Sequence, residues 1–307
     1  MASAPDSRSN QVASRAGASA WLRALRPHQW TKNLLVFVPA VAAHRLTDPG
    51  ALAAATAMFA AMCLAASAIY LVNDIADREA DRRHARKRRR PFASGELGAG
   101  AGWAAAGLLL ALAAALAVAL VPAEAVATLA GYVLLALGYS FVLKRRLAVD
   151  VAALAVLYVA RILAGGAAIG VDVSPWLLAL SFALFASLAL AKRYAELRES
   201  AAATSGRLPG RGYGPRDLGW LRTAGIACAA CSSAVIVFYA ASLTGSRHYA
   251  HPAWLFALAP IVLAWVLRVW ARAGDGRMHD DPVVDALTDP PGLALVAAGV
   301  AAFVAAM

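Results

Sequence analysis

Asn73-Asp74-Ile75-Ala76-Asp77-Arg78-Glu79-Ala80-Asp81 closes a long apolar run, Ala51 to Val72, and the basic stretch Arg82 to Arg90 follows at once. At about 100° per residue on an α-helix, Asn73, Asp74, Asp77 and Asp81 fall within roughly a 100° arc and span about 12 Å of the axis. Three carboxylates and a carboxamide converging on one face would repel each other unless a cation sat among them. Oxygen-only donors of this kind suit Mg²⁺, which takes carboxylates plus substrate phosphates and keeps several waters. Arg78, Arg82, Arg83, Arg86, Lys87, Arg88, Arg89 and Arg90 would meet the rest of a polyphosphate's charge. A bare topology signal would need these cations but not the aligned aspartates.

The rest of the chain places that stretch in a membrane. Its 307 residues are 61% hydrophobic and only 15% charged, whereas soluble domains carry about a quarter charged residues. The expected fold class is all-α: a polytopic bundle of transmembrane helices. Residues Met1 to Ala20 read as a disordered cytoplasmic tail without a signal-peptide core, and 21–307 as one intramembrane domain. Nine apolar segments follow, at 31–46, 51–73, 98–120, 124–143, 150–171, 175–195, 219–243, 253–271 and 291–306. Most approach the ~20 residues that cross a bilayer. Pro and Gly punctuate the breaks at 48–50, 121–122, 170–175, 251–252 and 290–292.

Lys and Arg test this topology. With the N-terminus in the cytoplasm, 26 of the 29 fall on the cytoplasmic side, Arg45 and Arg247 fall outside, and Arg161 lies within a span. That asymmetry is the positive-inside rule. It also accounts for the net charge of +11 without nucleic acid. Cys63, Cys228 and Cys231 all sit in apolar segments, so Cys228-x-x-Cys231 reads as helix packing rather than a redox or zinc pair.

Most of the chemistry gathers at cytoplasmic helix ends. Arg26-Pro27-His28-Gln29-Trp30-Thr31-Lys32-Asn33 precedes the first span, with Trp30, Arg26 and Lys32 as interface anchors or Lys32 as a ligand contact. Arg161, inside a span, either neutralises an acid such as Asp77 or reaches a substrate phosphate, and Tyr158 shares its face. Gly165-Gly166 would permit close helix packing. Lys144-Arg145-Arg146 and Lys192-Arg193-Tyr194 end two spans, as topology signals or phosphate contacts. Asp281, Asp285 and Asp289 share a helix face before the ninth span, where acids favour the helix dipole. The histidines form no metal-type pair, and no Ser/His/Asp or Cys/His nucleophile emerges.

These stretches resemble a known family. Asn73-Asp74-x-x-Asp77-x-x-x-Asp81 looks like the first Asp-rich motif of the UbiA-type intramembrane prenyltransferases. Within that superfamily the chain is more similar to the decaprenyl-phosphate phosphoribosyltransferases. The similarity rests on Arg26-Pro27-x-Gln29-Trp30-x-Lys32-Asn33, on Ser67 through Asp74 to Lys87-Arg88-x-Arg90-Pro91, on Arg161-x-x-Ala164-Gly165, and on Ala191-Lys192-Arg193-Tyr194-Ala195-Glu196. The run from Ser67 to Pro91 is the most specific of these.

The resemblance implies transfer of 5-phosphoribose from phosphoribosyl diphosphate to a polyprenyl (decaprenyl) phosphate lipid, releasing pyrophosphate with Mg²⁺, for cell-wall arabinan precursors. It implies a plasma-membrane enzyme, with Asn73, Asp74, Asp77 and Asp81 as metal ligands. Asp74, Asp77 and Arg161 would be catalytic. The substrate phosphates would meet Lys32, Arg78, Arg82, Lys87, Arg88, Arg90, Lys144, Tyr158, Arg161, Lys192, Arg193 and Tyr194. One departure bears on the substrate. Prenyltransferases of the superfamily carry a second Asp cluster after the sixth span, whereas 192–218 here offers mainly Lys and Arg. Two other functions share parts of the pattern: a prenyltransferase joining a prenyl diphosphate to an aromatic acceptor, and a carrier for anionic lipid or phosphate. Chain length of the lipid, the number of metal ions and homo-oligomer formation are not encoded in these motifs.

Overall fold

The computed structural model describes residues 17–83, 86–146, 148–203, 214–243, 249–278, 282, 285 and 288–307, all helix, turn or coil. Two compact units emerge, Met1–Phe141 with Ala160–Asp172, and Val142–Val159 with Val173–Met307.

The first unit is built on α3, Pro49–Ala76. Asp48 caps its N-terminus by accepting from the Gly50 and Ala51 N–H groups at 2.9 and 3.2 Å, and Pro49 fits the first helical turn. Alanines 55, 61, 65 and 68 are buried along it, and such small side chains let neighbouring helices approach closely where lipid gives no hydrophobic drive. Helix α6, Ala99–Leu120, and helix α7, Ala123–Phe141, pack on α3. Their outer faces stay apolar yet exposed, as at Leu108 (62%) and Leu134 (71%), which suits a surface solvated by lipid.

Residues 1–16 lie outside the described residues, and 17–25 form helix α1. Ala20 and Ala24 of α1 bury against a cluster with Leu71, Val72 and Phe92. The first apolar segment differs from expectation. Pro27–Phe37 winds as a 3₁₀ helix and Val38–Ala42 as the short helix α2, with Pro39 unable to donate to a continuous α-helix. After α3 come α4, Arg78–Arg82, and α5, Pro91–Ser94.

Helix α8, Val149–Ile169, contributes to both units. In the first, Gly165 passes so near the 3₁₀ segment that a Cβ would stand 2.0 Å from the Val36 carbonyl oxygen. The close packing expected at Gly165 is therefore present. The second unit holds α9, Pro175–Ala203, α10, Leu218–Ser242, α11, Trp254–Asp275, and α12, Pro290–Ala306. Helices α9, α10 and α11 pack on one another, and α12 packs on α11. Seven helices among the described residues are long and apolar enough to cross a membrane, and Pro290–Ala306 is a shorter apolar helix. The chain is a multi-pass membrane protein.

Candidate active site

The Asp-rich stretch is not one continuous helix. Helix α3 stops at Ala76, and Asp77, with φ −88° and ψ 3°, joins it to α4. Asp74 and Asp81 are buried, at 2% and 3% exposure, while Asn73 and Asp77 are half-buried. Two buried carboxylates need counter-charge, and arginines supply it. Arg26 Nη2 donates to both Asp74 oxygens at 2.7 and 2.8 Å. Arg90 Nη1 donates to Asp74 at 3.1 Å and to Asp81 at 2.7 Å. Burial pushes the Asp81 carboxyl above its ordinary range, against the pull of Arg90.

Two of these cations were expected elsewhere. Arg90, expected on a substrate phosphate, here bridges two aspartates. Arg26, expected as an interface anchor, is drawn inward: its guanidinium lies 5.0 Å from the centre of the Tyr70 ring. Its backbone is left-handed, φ 53°, a conformation that costs an L-residue roughly 1–2 kcal/mol and persists where surrounding contacts fix it. Trp30 likewise turns inward, donating to Ser67 Oγ at 3.0 Å.

Of the other cations near this stretch, Arg82 donates to the Ala93 carbonyl at 3.1 Å and to Glu79 at 3.0 Å. Arg78 pairs with Glu79 at 3.3 Å. Lys87 and Arg88 are exposed, and Lys32 is half-buried. Among the described residues no three His, Cys, Asp or Glu side chains form a ready metal cluster. The donor set nevertheless suits Mg²⁺: Asn73, Asp74, Asp77 and Asp81 offer only oxygen, and the cationic arginines already on Asp74 and Asp81 mark where positive charge is held.

A second network lies deeper in the first unit. Arg161, only 7% exposed, donates from Nε to Asn33 Oδ1 at 2.9 Å and from Nη2 to the Tyr132 hydroxyl at 2.9 Å. Asn33 in turn donates to Cys63 Sγ at 3.3 Å. These two partners are neutral and help to orient the guanidinium.

In the second unit Arg193 departs from expectation. It is 1% exposed and binds Asp150, itself 0% exposed, through Nε and, at 3.1 Å, Nη2. Its third nitrogen donates to Glu196 at 2.6 Å. Arg193 thus fixes α9 to the start of α8 rather than offering a free cation. Lys192 and Lys144 are half-buried. Tyr158 stacks on Phe185 with centroids 4.2 Å apart, and Tyr194 leans on Trp270 at 5.6 Å.

Asp285 and Asp289 are held by α11. Arg272 donates to both Asp285 oxygens at 2.7 and 2.8 Å, and Arg268 binds both oxygens of Asp289, one at 2.9 Å. Asp289 also caps α12 through the Gly292 N–H at 2.9 Å. The Arg268 hydrogen bond holds the Asp289 carboxyl down to about 2. Asp281 lies outside the described residues.

Fold and site together define an all-α, multi-pass membrane protein whose buried acids carry guanidinium partners. The chain belongs to the UbiA prenyltransferase family, which residues 34–280 match. The uncharacterized protein y4nM of Sinorhizobium fredii is 38% identical over 94% of this chain, and the match covers 56% of that protein. The nodulation protein NoeC of Azorhizobium caulinodans is 34% identical over 90% of this chain and 89% of its own. A decaprenyl-phosphate phosphoribosyltransferase of Corynebacterium glutamicum is 40% identical over 59% of this chain and 55% of that protein. The chain therefore spans little more than half the length of y4nM and of the Corynebacterium relative. In fold it resembles a UbiA homolog from Archaeoglobus fulgidus bound to DMAPP and Mg²⁺, with TM-score 0.67 and 17% identity over 92% of this chain and 98% of that one.

Proposed function

We propose that this protein transfers 5-phosphoribose from phosphoribosyl diphosphate to a polyprenyl phosphate, releasing pyrophosphate. The observation that carries this is the interlocked set of Arg26, Asp74, Arg90 and Asp81, where acids for a metal stand beside arginines for phosphate. The relatives named decaprenyl-phosphate phosphoribosyltransferase support it, at 36–40% identity over 57–59% of this chain.

Asn73, Asp74, Asp77 and Asp81 would hold Mg²⁺, which when bound supplies positive charge for the diphosphate. Arg90 and Arg26 share those carboxylates and would place guanidinium groups for a substrate phosphate beside them. Lys87 and Arg88, both exposed, and Lys32, Lys144, Lys192 and Tyr194 are further candidate phosphate contacts. Arg161, oriented by Asn33 and Tyr132, is a further candidate contact for a substrate phosphate. The acceptor phosphate monoester is largely ionised at pH 7, its second pKa being about 6, so attack on ribose C1 needs no general base. Placement and charge stabilisation carry the rate.

The topology that goes with this function has nine crossings, a cytoplasmic N-terminus and a site facing the cytoplasm of the plasma membrane. A 3₁₀ helix rises about 2.0 Å per residue, against about 1.5 Å for an α-helix. Pro27–Phe37 and Val38–Ala42 together then reach roughly 30 Å, enough for the hydrocarbon core. Pro290–Ala306, with 17 residues, meets the lower limit of a span, about 17. A role in making cell-wall arabinan precursors is part of the same proposal and rests on the resemblance of the motifs alone.

The test is a parallel assay of purified protein with phosphoribosyl diphosphate plus polyprenyl phosphate, and with a prenyl diphosphate plus 4-hydroxybenzoate. Turnover of the first pair alone supports the proposal. Turnover of the second alone makes the protein an aromatic prenyltransferase, and turnover of neither favours a lipid or phosphate carrier.

A further inference from the structure

One end of α9, α10 and α11 in the second unit holds a cavity of about 580 Å³, within the range of roughly 300–1,000 Å³ typical of small-molecule sites. Arg198 from α9, Arg222 from α10 and Asp275 from the end of α11 all line it and are exposed. None of the three has an ion-pair partner among the described residues, unlike Arg193, Arg268 and Arg272 on the same helices.

The floor is rigid. Trp270 is buried, and its Nε1 donates to Ser187 Oγ at 3.0 Å while Ser187 donates to the Gly225 carbonyl at 2.7 Å. Tyr194 leans on the same ring. A Cβ at Gly225 would stand 1.9 Å from the Trp270 ring, so the absence of a side chain there is what admits the indole. Part of the lining is apolar: Ile226 and Leu267 remain 36% and 39% exposed.

Two guanidiniums against one carboxylate leave the lining at +1. That matches a monoanionic phosphodiester better than the more highly charged phosphate monoester or diphosphate. An anion site that continues into an apolar wall at the end of spanning helices fits an amphiphile, because the headgroup layer is where cationic side chains meet lipid phosphate. We infer that this cavity binds the phosphodiester headgroup of an anionic phospholipid. Arg198 and Arg222 hold the phosphate, Asp275 accepts from headgroup hydroxyls, and an acyl chain lies along Ile226 and Leu267. The inference stands on the lining residues of this cavity and does not rest on the phosphoribosyl proposal.

Native mass spectrometry of the full chain in detergent, with equimolar phosphatidylglycerol and phosphatidylcholine, tests it. Retention of phosphatidylglycerol is expected to exceed that of phosphatidylcholine roughly tenfold, the scale of one charge-assisted hydrogen bond. Arg198→Gln/Arg222→Gln should abolish the preference, and Arg145→Gln/Arg146→Gln, which removes two exposed arginines elsewhere, should keep it. The melting temperature is read alongside, and single Arg222→Gln replaces the double variant if that fails to fold. Equal retention of the two lipids by the native chain, or an unchanged preference in the Arg198/Arg222 variant, overturns the site. Displacement of phosphatidylglycerol by millimolar inorganic phosphate overturns the lipid assignment in favour of a soluble anion.

Discussion

Arg26 grips Asp74 across 48 positions of sequence, one guanidinium nitrogen lying 2.7 and 2.8 Å from the two carboxylate oxygens. The pair ties the start of the 3₁₀ segment to the end of α3, and it puts a cation on the first acid of the Asp-rich stretch. A charge-assisted hydrogen bond contributes about 1.5–3 kcal/mol, and each 1.36 kcal/mol is about tenfold in rate. Arg26→Ala should therefore lower kcat/KM for phosphoribosyl transfer roughly ten- to a hundredfold, with Arg26→Lys in between. Steady-state kinetics of the two variants measure this, and native efficiency in Arg26→Ala would contradict it.

The buried pair of Arg193 and Asp150 leads to a different outcome. Removing one partner of a buried ion pair leaves an unanswered charge and costs about 3–5 kcal/mol. Arg193→Ala and Asp150→Ala should each lower the melting temperature in detergent, and Arg193→Met/Asp150→Leu should recover much of the loss. A folded Arg193→Ala with native melting and a raised KM for one phosphate substrate would make Arg193 a substrate contact instead.

Arg193 also shows where sequence reading stops. A cation at a helix end beside Lys192 looks water-facing, and its partner Asp150 is 43 positions away. A separation of 48 positions likewise hides Arg26 and Asp74, while the Asp-rich stretch itself was legible because its spacing is local. Arg161 stood out as a charge in an apolar span, but its partners Asn33 and Tyr132 lie 128 and 29 positions off. Asn33 left a trace, as the polar residue that opens an apolar run. The long apolar helices could be read from length and composition. The 3₁₀ winding of Pro27–Phe37 could not, because composition does not distinguish it from an α-helix.

Glycine contacts give a stability series. A Cβ at Gly165 would strike the Val36 carbonyl, whereas one at Gly107 meets nothing within 4 Å. Gly165→Ala should cost about 1–3 kcal/mol by overpacking, and Gly107→Ala should be neutral. Equal melting temperatures for the two variants would show that the 3₁₀ segment yields easily.

The clamp between Arg268 and Asp289 titrates in acid. The Asp289 carboxyl is held at about 2 in the folded chain, below about 3.9 for an unperturbed aspartate. A depressed carboxylate stabilises the fold above the unfolded value and loses that contribution as pH falls through the folded one. The melting advantage of the native chain over Asp289→Asn should be full above about pH 4 and vanish near pH 2. A difference between them that does not change with pH would mean that the charge of Asp289 contributes nothing.

The most direct measurement follows the lipid product itself. Purified protein is incubated with Mg²⁺, phosphoribosyl diphosphate and a polyprenyl phosphate, and the lipid is weighed by mass spectrometry while pyrophosphate is counted. The native chain should add one phosphoribosyl group per lipid with one pyrophosphate released, and Asp77→Asn, still folded in the membrane, should do neither. Unmodified polyprenyl phosphate after prolonged incubation, with no pyrophosphate released, would contradict phosphoribosyl transfer.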